Sequence, residues 1–226
     1  MVLIDGKKVS AEIRGRLEKE TAELKTTTGR TPGLATVLVG EDPASAVYVR
    51  NKNKICHEVG FQSFGQNLSA ETTEEELLDI IKKLNSNDEV NGILVQLPLP
   101  DHIDSEKILL SIDPEKDVDG FHPINVGKLA IGNALLTPCT PTGIIALLDY
   151  YKIEIPGKHA VVLGRSNIVG KPVAHLLLQR HATVTICHSK TKNMQQVTRQ
   201  ADILIAAVGR PHFVNSDMVK EDVVVI

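Results

Sequence analysis

The sequence is poor in the residues on which several specialised functions depend. It has no Trp, three Tyr and four Phe among 226 residues, so few rings are available to stack on the bases of single-stranded nucleic acid. It also lacks a basic excess, because 25 Lys and Arg against 28 Asp and Glu give a net charge of -3. Proteins that bind nucleic acid usually carry a clear basic excess. We therefore expect no nucleic-acid partner.

Neither a membrane span nor a leader is visible in the sequence. No apolar run approaches the roughly 20 residues that cross a bilayer, and the first residues, MVLIDGKKVS, lack the pattern of a signal peptide. Cys56, Cys139 and Cys187 have no paired spacing, which is typical of reduced thiols in a cytoplasmic protein. The His and Cys residues show no metal-ligand spacing either. We expect a cytoplasmic protein with no membrane partner and no metal site.

The second half of the chain alternates between strand and helix patterns. Apolar residues make up 42% of the sequence, enough for a buried core. From residue 158 the segments HAVVLG, GKPVAHLLLQRH, ATVTICH, KNMQQVTRQA and DILIAAVG predict a βαβαβ unit, and therefore a parallel sheet. The last four residues, VVVI, predict a fourth strand. Because a globular protein rarely ends inside a core strand, we expect the chain to be incomplete at this end.

The first half contains two recognisable helix starts. Residues 34–39, LATVLV, predict a strand, and Asp42 before Pro43 predicts a capped helix that runs to about residue 59. Thr72 and Glu75 have the spacing of a capping box before a second helix. We place the boundary between two domains at residues 140/141.

A glycine-rich turn, GRSNIVGKP at residues 164–172, joins the first strand of the βαβαβ unit to its first helix. Such a turn suits a phosphate, because a helix N-terminus offers unpaired N–H groups and the positive end of a dipole. Only Gly164 and Gly170 are present, instead of the three glycines of the dinucleotide fingerprint. The βαβαβ context strengthens the interpretation.

The end of the second strand of this unit favours NADP over NAD. An NAD site places an acidic side chain there for the ribose, whereas residues 187–192 read CHSKTK. Ser189, Lys190 and Lys192, with Arg165 on the first turn, suit a 2′-phosphate through charge-assisted hydrogen bonds. The alternative is a solvated basic loop.

The predicted helix from Pro43 carries polar side chains suited to chemistry. Ser45, Tyr48 and Lys52 lie at i, i+3 and i+7 and therefore share one face. This face begins just after a strand end, where open α/β sheets bind ligands. A lysine there can shuttle protons and Tyr48 can pack on a planar substrate. The alternative is a surface lysine in a lysine-rich helix.

Three further polar residues are candidates for ligand contacts. Gln96 ends the apolar strand predicted at residues 92–96, just before LPLP. Asp117 and Asp119 lie in the polar loop DPEKDVDGFHP, and loops of this length tend to be functional. A carboxylate there can bind an amino-pyrimidine edge through two hydrogen bonds. Ordinary turn chemistry is the alternative for both.

Six segments together resemble one enzyme family over nearly the whole chain. They are YVRNKNKICHEVGF (48–61), GILVQLPLP (92–100), DPEKDVDGFHPINVGKL (113–129), TPCTPTGII (137–145), GRSNIVGKPVAHLL (164–177) and ATVTICHSKT (182–191). In this order they resemble the bifunctional methylenetetrahydrofolate dehydrogenase/methenyltetrahydrofolate cyclohydrolase family.

The resemblance implies a two-domain α/β fold. Residues 1–140 would form an open α/β, folate-binding catalytic domain, and residues 141–226 an incomplete, C-terminally truncated Rossmann-type NADP-binding domain. The two domains would flank a cleft, and a homodimer would form through the second. NADP would oxidise 5,10-methylenetetrahydrofolate to 5,10-methenyltetrahydrofolate, and water would then open its ring to give 10-formyltetrahydrofolate.

The resemblance also assigns roles to residues in the first domain. Lys52 matches the catalytic lysine that shuttles protons in hydrolysis, and Gln96 the glutamine that hydrogen-bonds it. Tyr48 matches the tyrosine that packs on the folate. Asp119 matches the aspartate that anchors the pterin, and Ser45 lies near the same pocket by helix position.

In the second domain the resemblance implies an NADP site. The matching positions are Gly164, Arg165, Ser166 and Ser189, the two serines as hydroxyl donors. Family members continue with another strand, a PGGVGP-type loop and a helix. Either the recorded sequence is cut or the chain is a truncated product with impaired binding. A dehydrogenase-only enzyme and a non-catalytic folate- or NADP-binding module remain as alternatives.

Overall fold

A computed structural model of the chain describes residues 2–226, apart from the side chain of Ala44. Its contacts divide the chain into a first unit, Asp5–Pro123, and a second unit, Ile124–Ile226 together with residues 2–4. This division by contacts lies before the boundary at residues 140/141 that the sequence predicts, and that boundary stays a prediction. Within the described residues, no helix is both long enough and apolar enough to cross a membrane.

The first unit is built around a parallel sheet. Its elements are α1 (Gly6–Thr28), β1 (Gly33–Val39), α2 (Pro43–Glu58), β2 (Gln62–Ser63), β3 (Gln66–Leu68), α3 (Glu74–Asn85), β4 (Gly92–Val95) and α4 (Ser105–Ser111). Strand β1 pairs in parallel with β2, β3 and β4, and Leu34 lies opposite Gly92. Because β1 is covered on both faces, it reads as a continuous apolar run. The carboxyl ends of β1 and β4 therefore lie at the same edge of the sheet.

The helix starts of the first unit follow side-chain caps. The predicted cap of α2 is confirmed, since Asp42 Oδ2 accepts the Ser45 N–H over 2.7 Å. The predicted capping box at Thr72 and Glu75 is wrong by one residue. Thr73 and Glu76 form the box instead. In this register α3 buries an apolar stripe, Leu77, Ile81 and Leu84.

The second unit contains the predicted βαβαβ unit. Its elements are α5 (Pro123–Ala130), α6 (Cys139–Tyr150), β5 (His159–Leu163), α7 (Gly170–Gln179), β6 (Thr183–Cys187), α8 (Met194–Thr198), β7 (Ile203–Ala206), a 3₁₀ turn (Ser216–Met218) and β8 (Val224–Val225). The sheet order is β6-β5-β7-β8 and all pairs are parallel. The predicted fourth strand at residues 223–226 is therefore confirmed as β8. Helix α5 and the short strands β2 and β3 had no signal in our reading of the sequence.

Two apolar layers enclose the second sheet. Ala160 and Val162 of β5 face one buried cluster, and Val161 and Leu163 face the other. All four side chains are fully buried. Strand β5 is an interior strand that pairs with both β6 and β7, and the glycine-rich turn begins at Gly164, directly after its buried carboxyl end.

Candidate active site

A buried polar contact fixes α2 on the first sheet. The Thr36 hydroxyl, fully buried in β1, donates to Asn53 Oδ1 over 2.9 Å. The Ser63 hydroxyl donates to the same oxygen over 3.3 Å. Buried hydroxyls require such partners. Because Asn53 follows Lys52 directly, this contact also sets where the Lys52 backbone lies relative to β1.

The structure brings Lys52 and Gln96 together. Lys52 Nζ donates to Gln96 Oε1 over 3.1 Å, and both side chains are half-buried. Gln96 follows β4 directly, and its own backbone N–H bonds to Val37 O over 2.8 Å. The amide group is oriented by its other end, since Nε2 donates to Leu97 O over 2.8 Å. That bond leaves Oε1 as the acceptor that faces the lysine.

An amide is a suitable partner for a lysine that must exchange a proton. A carboxylate at this position would favour the charged ammonium form through its opposite charge. The Gln96 oxygen carries no formal charge, so it holds Nζ in place without forming an ion pair. This arrangement suits a proton shuttle better than a structural ion pair would.

The other two predicted residues of α2 differ in exposure. Tyr48 lies one turn before Lys52 and is 63% exposed, so its ring is available to a ligand. Ser45 is only 3% exposed, and its backbone N–H takes part in the helix cap. The two side chains therefore do not present one equally accessible face. Contacts of either with substrate stay predictions.

Asp119 lies in a loop that is attached to β4. Asp117 forms a parallel bridge with Ile93 of β4, and its carboxylate accepts the His122 N–H over 2.8 Å. The Gly120 N–H bonds to Asp117 O over 3.2 Å. Asp117 is 2% exposed whereas Asp119 is half-buried. The two carboxylates thus differ: Asp117 closes the loop, and Asp119 is the more accessible of the two.

The glycine-rich turn of the second unit depends on close backbone approach. Gly164 has φ +119°, and a Cβ added there would lie 2.3 Å from Ala207 O. A Cβ on Gly170 would lie 2.4 Å from Gly164 O. Only glycine fits such positions. Both glycines singled out in the sequence are therefore required by the shape of the turn.

The first N–H groups of α7 are paired within the glycine-rich turn. Ser166 Oγ accepts the N–H groups of Val169 and Gly170 over 3.2 and 3.1 Å, and Ser166 O accepts that of Lys171 over 3.0 Å. The N–H groups of Val169, Gly170 and Lys171 are thus already paired, and the phosphate site at this turn stays a prediction. The cause of the pairing is the serine, whose short side chain caps the helix from within the turn.

The donors that remain lie earlier in the turn. Within the described residues, the amide N–H groups of positions 165–168 have no backbone or side-chain acceptor. Successive amides of this kind form a concave site for anions. The Ser166 hydroxyl oxygen already accepts two bonds, but its proton is still available to a ligand.

The predicted 2′-phosphate residues surround the ends of β5 and β6. Arg165 and Ser189 are exposed, and Gly164 N–H donates to Cys187 O over 2.8 Å, which ties the two strand ends together. Burial raises the pKa of the Cys187 thiol, with a smaller opposing effect from its hydrogen bond with Thr191. The thiol is therefore a packing group, and the segment 187–192 offers hydroxyls and cations without a carboxylate.

Comparison with known families covers both units. Residues 4–119 match the model of the tetrahydrofolate dehydrogenase/cyclohydrolase catalytic domain, and residues 138–226 match that of the NAD(P)-binding domain of the same family. The chain belongs to this family. The predicted family, enzyme class and two-domain α/β fold are thereby confirmed, and the second half of this dehydrogenase/cyclohydrolase is an NAD(P)-binding domain.

Individual relatives of this dehydrogenase/cyclohydrolase agree. A bifunctional FolD protein of Halothermothrix orenii is 59% identical over 99% of this chain and 80% of its own length. The crystal structure of FolD from Campylobacter jejuni superposes with a TM-score of 0.97 at 51% identity, over 100% of this chain and 80% of that one. The Trypanosoma brucei FolD, solved with NADP and an inhibitor, gives 0.94 at 41%, over 99% and 77%.

Proposed function

We propose that this chain oxidises 5,10-methylenetetrahydrofolate with NADP and hydrolyses the product to 10-formyltetrahydrofolate. The observation that carries the proposal is the Lys52–Gln96 hydrogen bond at the carboxyl edge of the first sheet, in a chain with both domains of the family. A dehydrogenase alone needs mainly alignment of donor and acceptor. The retained lysine–glutamine pair therefore favours the bifunctional reading over a dehydrogenase-only enzyme.

In the oxidation, residues of the first unit bind and orient the folate. Asp119 accepts hydrogen bonds from the amino-pyrimidine edge, and Tyr48 packs its exposed ring on the planar part of the substrate. NADP, when bound, accepts the hydride from the methylene carbon. The carbon is left as an amidinium-like cation that water can attack.

In the hydrolysis, Lys52 moves protons. Its neutral amine takes a proton from the attacking water as the C–O bond forms at the methenyl carbon. The resulting ammonium then gives this proton to the ring nitrogen as the C–N bond breaks, and the hydroxyl of the intermediate releases its own proton to water as the formyl C=O bond forms. Gln96 holds Nζ at one place through both transfers.

The cofactor is NADP in this proposal. Residues 187–192 lack the carboxylate that binds the ribose of NAD, and Arg165 and Ser189 are exposed next to the glycine-rich turn. The amides of residues 165–168 suit the pyrophosphate. The NADP bound by the Trypanosoma brucei FolD supports the same choice.

We further propose a cytoplasmic homodimer with no nucleic-acid or membrane partner. Support for the dimer comes from β6, which is an edge strand of the second sheet, with Ile186 38% exposed. Edge strands present unpaired backbone groups to a partner. The domain division at residues 140/141, folate chemistry before it and NADP binding after it, also stays a proposal.

Replacement of Lys52 by Met tests the function. Lys52→Met should lower methenyltetrahydrofolate hydrolysis by at least about 100-fold, because the proton shuttle is removed. The matched control is Lys54→Met two positions along α2, where the exposed ammonium pairs with Glu58. Hydrolysis is followed by the decay of methenyl absorbance and oxidation by NADPH formation.

The same assays separate the alternatives. A dehydrogenase-only enzyme would form NADPH and leave the methenyl compound unhydrolysed. A binding module would do neither. Hydrolysis by Lys52→Met at the parent rate would remove the lysine from the mechanism.

A further inference from the structure

Lys116 makes an unusual set of contacts for a lysine in a polar loop. Its ammonium donates to three backbone carbonyls at the end of α3: to Leu84 O over 3.3 Å, to Asn85 O over 2.7 Å and to Asn87 O over 2.9 Å. The side chain is half-buried. A cation at this place complements the negative end of the helix dipole and satisfies carbonyls that the helix leaves open.

The backbone of Lys116 is bound to the sheet at the same time. Lys116 O accepts the Ile93 N–H over 2.7 Å, and the next residue forms the bridge with Ile93. A Cβ on Gly92 would lie 2.4 Å from Val118 Cγ1, so the loop rests directly on β4. The residue thus fastens the chain to α3 by its side chain and to β4 by its main chain.

The loop after Lys116 is short and closed on itself. The Asp117 carboxylate accepts the His122 N–H, and Asp117 O accepts the Gly120 N–H. Asp119 lies inside the loop that both contacts close. We therefore expect a shift of the backbone at Lys116 to move Asp119, because two hydrogen bonds of Asp117 close the loop that contains it.

We propose that Lys116 is a positioning residue for the reduced folate, because it holds residues 113–122 so that Asp119 meets the pterin. This inference rests on the proposed function and names a second residue that controls affinity for its substrate. Lys116 itself does not touch the folate. Its effect passes through Asp119 and should vanish when Asp119 can no longer bind.

Substitution of Lys116 by Met tests the proposal through folate binding. The probe is 5-formyltetrahydrofolate, a reduced folate that the dehydrogenase does not oxidise, and its dissociation constant is measured by calorimetry. Lys116→Met should raise that constant by about tenfold, the effect of a lost charge-assisted contact. Lys116→Arg, which keeps the charge and several donors, should remain within about twofold of the parent.

A double-mutant cycle separates positioning from general destabilisation. In an Asp119→Asn background, where the parent contact is already weakened, Lys116→Met should change the dissociation constant by less than about twofold. Lys82→Met, on the exposed face of α3, is the matched control and should leave binding unchanged. Binding of NADP should be the same in all variants.

The outcomes are distinguishable. If Lys116→Met binds the folate as tightly as the parent, or if it weakens binding equally in both backgrounds, the positioning role is overturned. If Asp119→Asn alone leaves folate binding unchanged, or the parent binds no folate, the proposed function fails instead. Should Lys116→Met not fold, Lys116→Gln is measured in its place, with a rise of about fivefold expected from its loss of charge.

Discussion

The candidate site of the first unit is formed by side chains, whereas that of the second unit is formed mainly by the backbone. In the first unit, side chains reach across elements that are far apart in sequence, as Lys52 reaches Gln96 44 positions away. In the second unit, the turn at residues 164–172 is shaped by glycine backbones that approach other backbone atoms closely, and Ser166 caps it by accepting the N–H of Gly170. One site depends on a few side-chain atoms, and the other depends on backbone shape.

This difference predicts how each site responds to substitution. Loss of one side chain in the first unit should remove chemistry and leave the fold intact, since the Lys52–Gln96 pair is half-buried at a strand end. Addition of a single methyl group to the second unit should distort the turn itself. Backbone-shaped sites tolerate side-chain truncation better than they tolerate an added Cβ.

Gly164→Ala should have the largest effect. The new Cβ would lie 2.3 Å from Ala207 O, at φ +119°, so the turn must move. We expect NADP binding to weaken by about 100-fold or more and the free energy of unfolding to fall by about 3 kcal/mol. Calorimetry with NADP and denaturant unfolding measure the two effects.

The control for this substitution is Gly143→Ala in α6. A Cβ there meets nothing within 4 Å, and alanine is the better helix former. It should leave NADP binding unchanged. Folate binding by Gly164→Ala should also stay at the parent level. If the variant loses affinity for both NADP and folate, the claim that this substitution affects only the second site is wrong.

Gln96→Leu should have the next largest effect, confined to chemistry. Leucine keeps most of the volume but removes the oxygen that accepts from Lys52 Nζ. Hydrolysis of methenyltetrahydrofolate should fall by about 50-fold, less than the full contribution of a general base. Stability should change by less than about 1 kcal/mol, as for a half-buried position.

Gln62→Leu, at an exposed position in β2, controls for the loss of an amide from the same sheet. It should hydrolyse the substrate at the parent rate. If Gln96→Leu unfolds at a much lower denaturant concentration than the parent, the Lys52–Gln96 pair contributes to the stability of the first unit as well as to chemistry.

Arg165→Ala tests whether any side chain matters in the second site. The exposed guanidinium suits the 2′-phosphate, which NAD lacks. Affinity for NADP should fall by about tenfold while affinity for NAD stays the same. An unchanged ratio of the two dissociation constants, measured by fluorescence titration, would remove Arg165 from the site.

Asp202→Asn should have the smallest effect, at the amino ends of the strands in the second unit. Its pKa lies below the ordinary value of 3.8, first because Lys220 bonds to it and then because the His159 N–H does. Because the pKa of Asp202 is lower in the folded state, this carboxylate stabilises the fold at pH values above its unfolded-state pKa. The stabilisation is lost as the pH falls through the folded-state pKa.

The parent should therefore lose part of its stability below about pH 4, and Asp202→Asn should lack that part of the loss. The amount is small, because both partners are substantially exposed. Chemical unfolding between about pH 2 and 5 measures it. The exposed Asp222→Asn serves as control, and an acid response equal to the parent's in Asp202→Asn would exclude this contact as its source.

Local patterns were the parts of the structure that the sequence predicted well. The cap at Asp42 and the strand and helix segments of the βαβαβ unit each arise within a short stretch of chain, where spacing and residue type decide the conformation. The capping box moved by one residue because Thr72 and Thr73 both have a suitable acid three positions on. The structure uses Thr73 and Glu76.

Long-range contacts were not predictable from one sequence. Nothing in the spacing of Thr36 and Asn53 indicates that they meet, nor that Lys116 reaches the end of α3. Ser166 shows a related limit, since a serine in a phosphate-type turn reads equally well as a ligand donor or as an internal cap. The pairing of Lys52 with Gln96 was expected only from the family resemblance.

The pairing of β1 with β4 has a consequence for the order in which the molecule folds. Leu34 and Gly92, paired across β1 and β4, are 58 positions apart, whereas Ala160 and Ile203, paired across β5 and β7, are 43 apart. Closing the longer loop carries the greater entropy loss, and contacts distant in sequence slow folding. We expect the nucleotide-binding sheet to assemble first. The lysine and glutamine then meet late in folding, when β4 docks on β1.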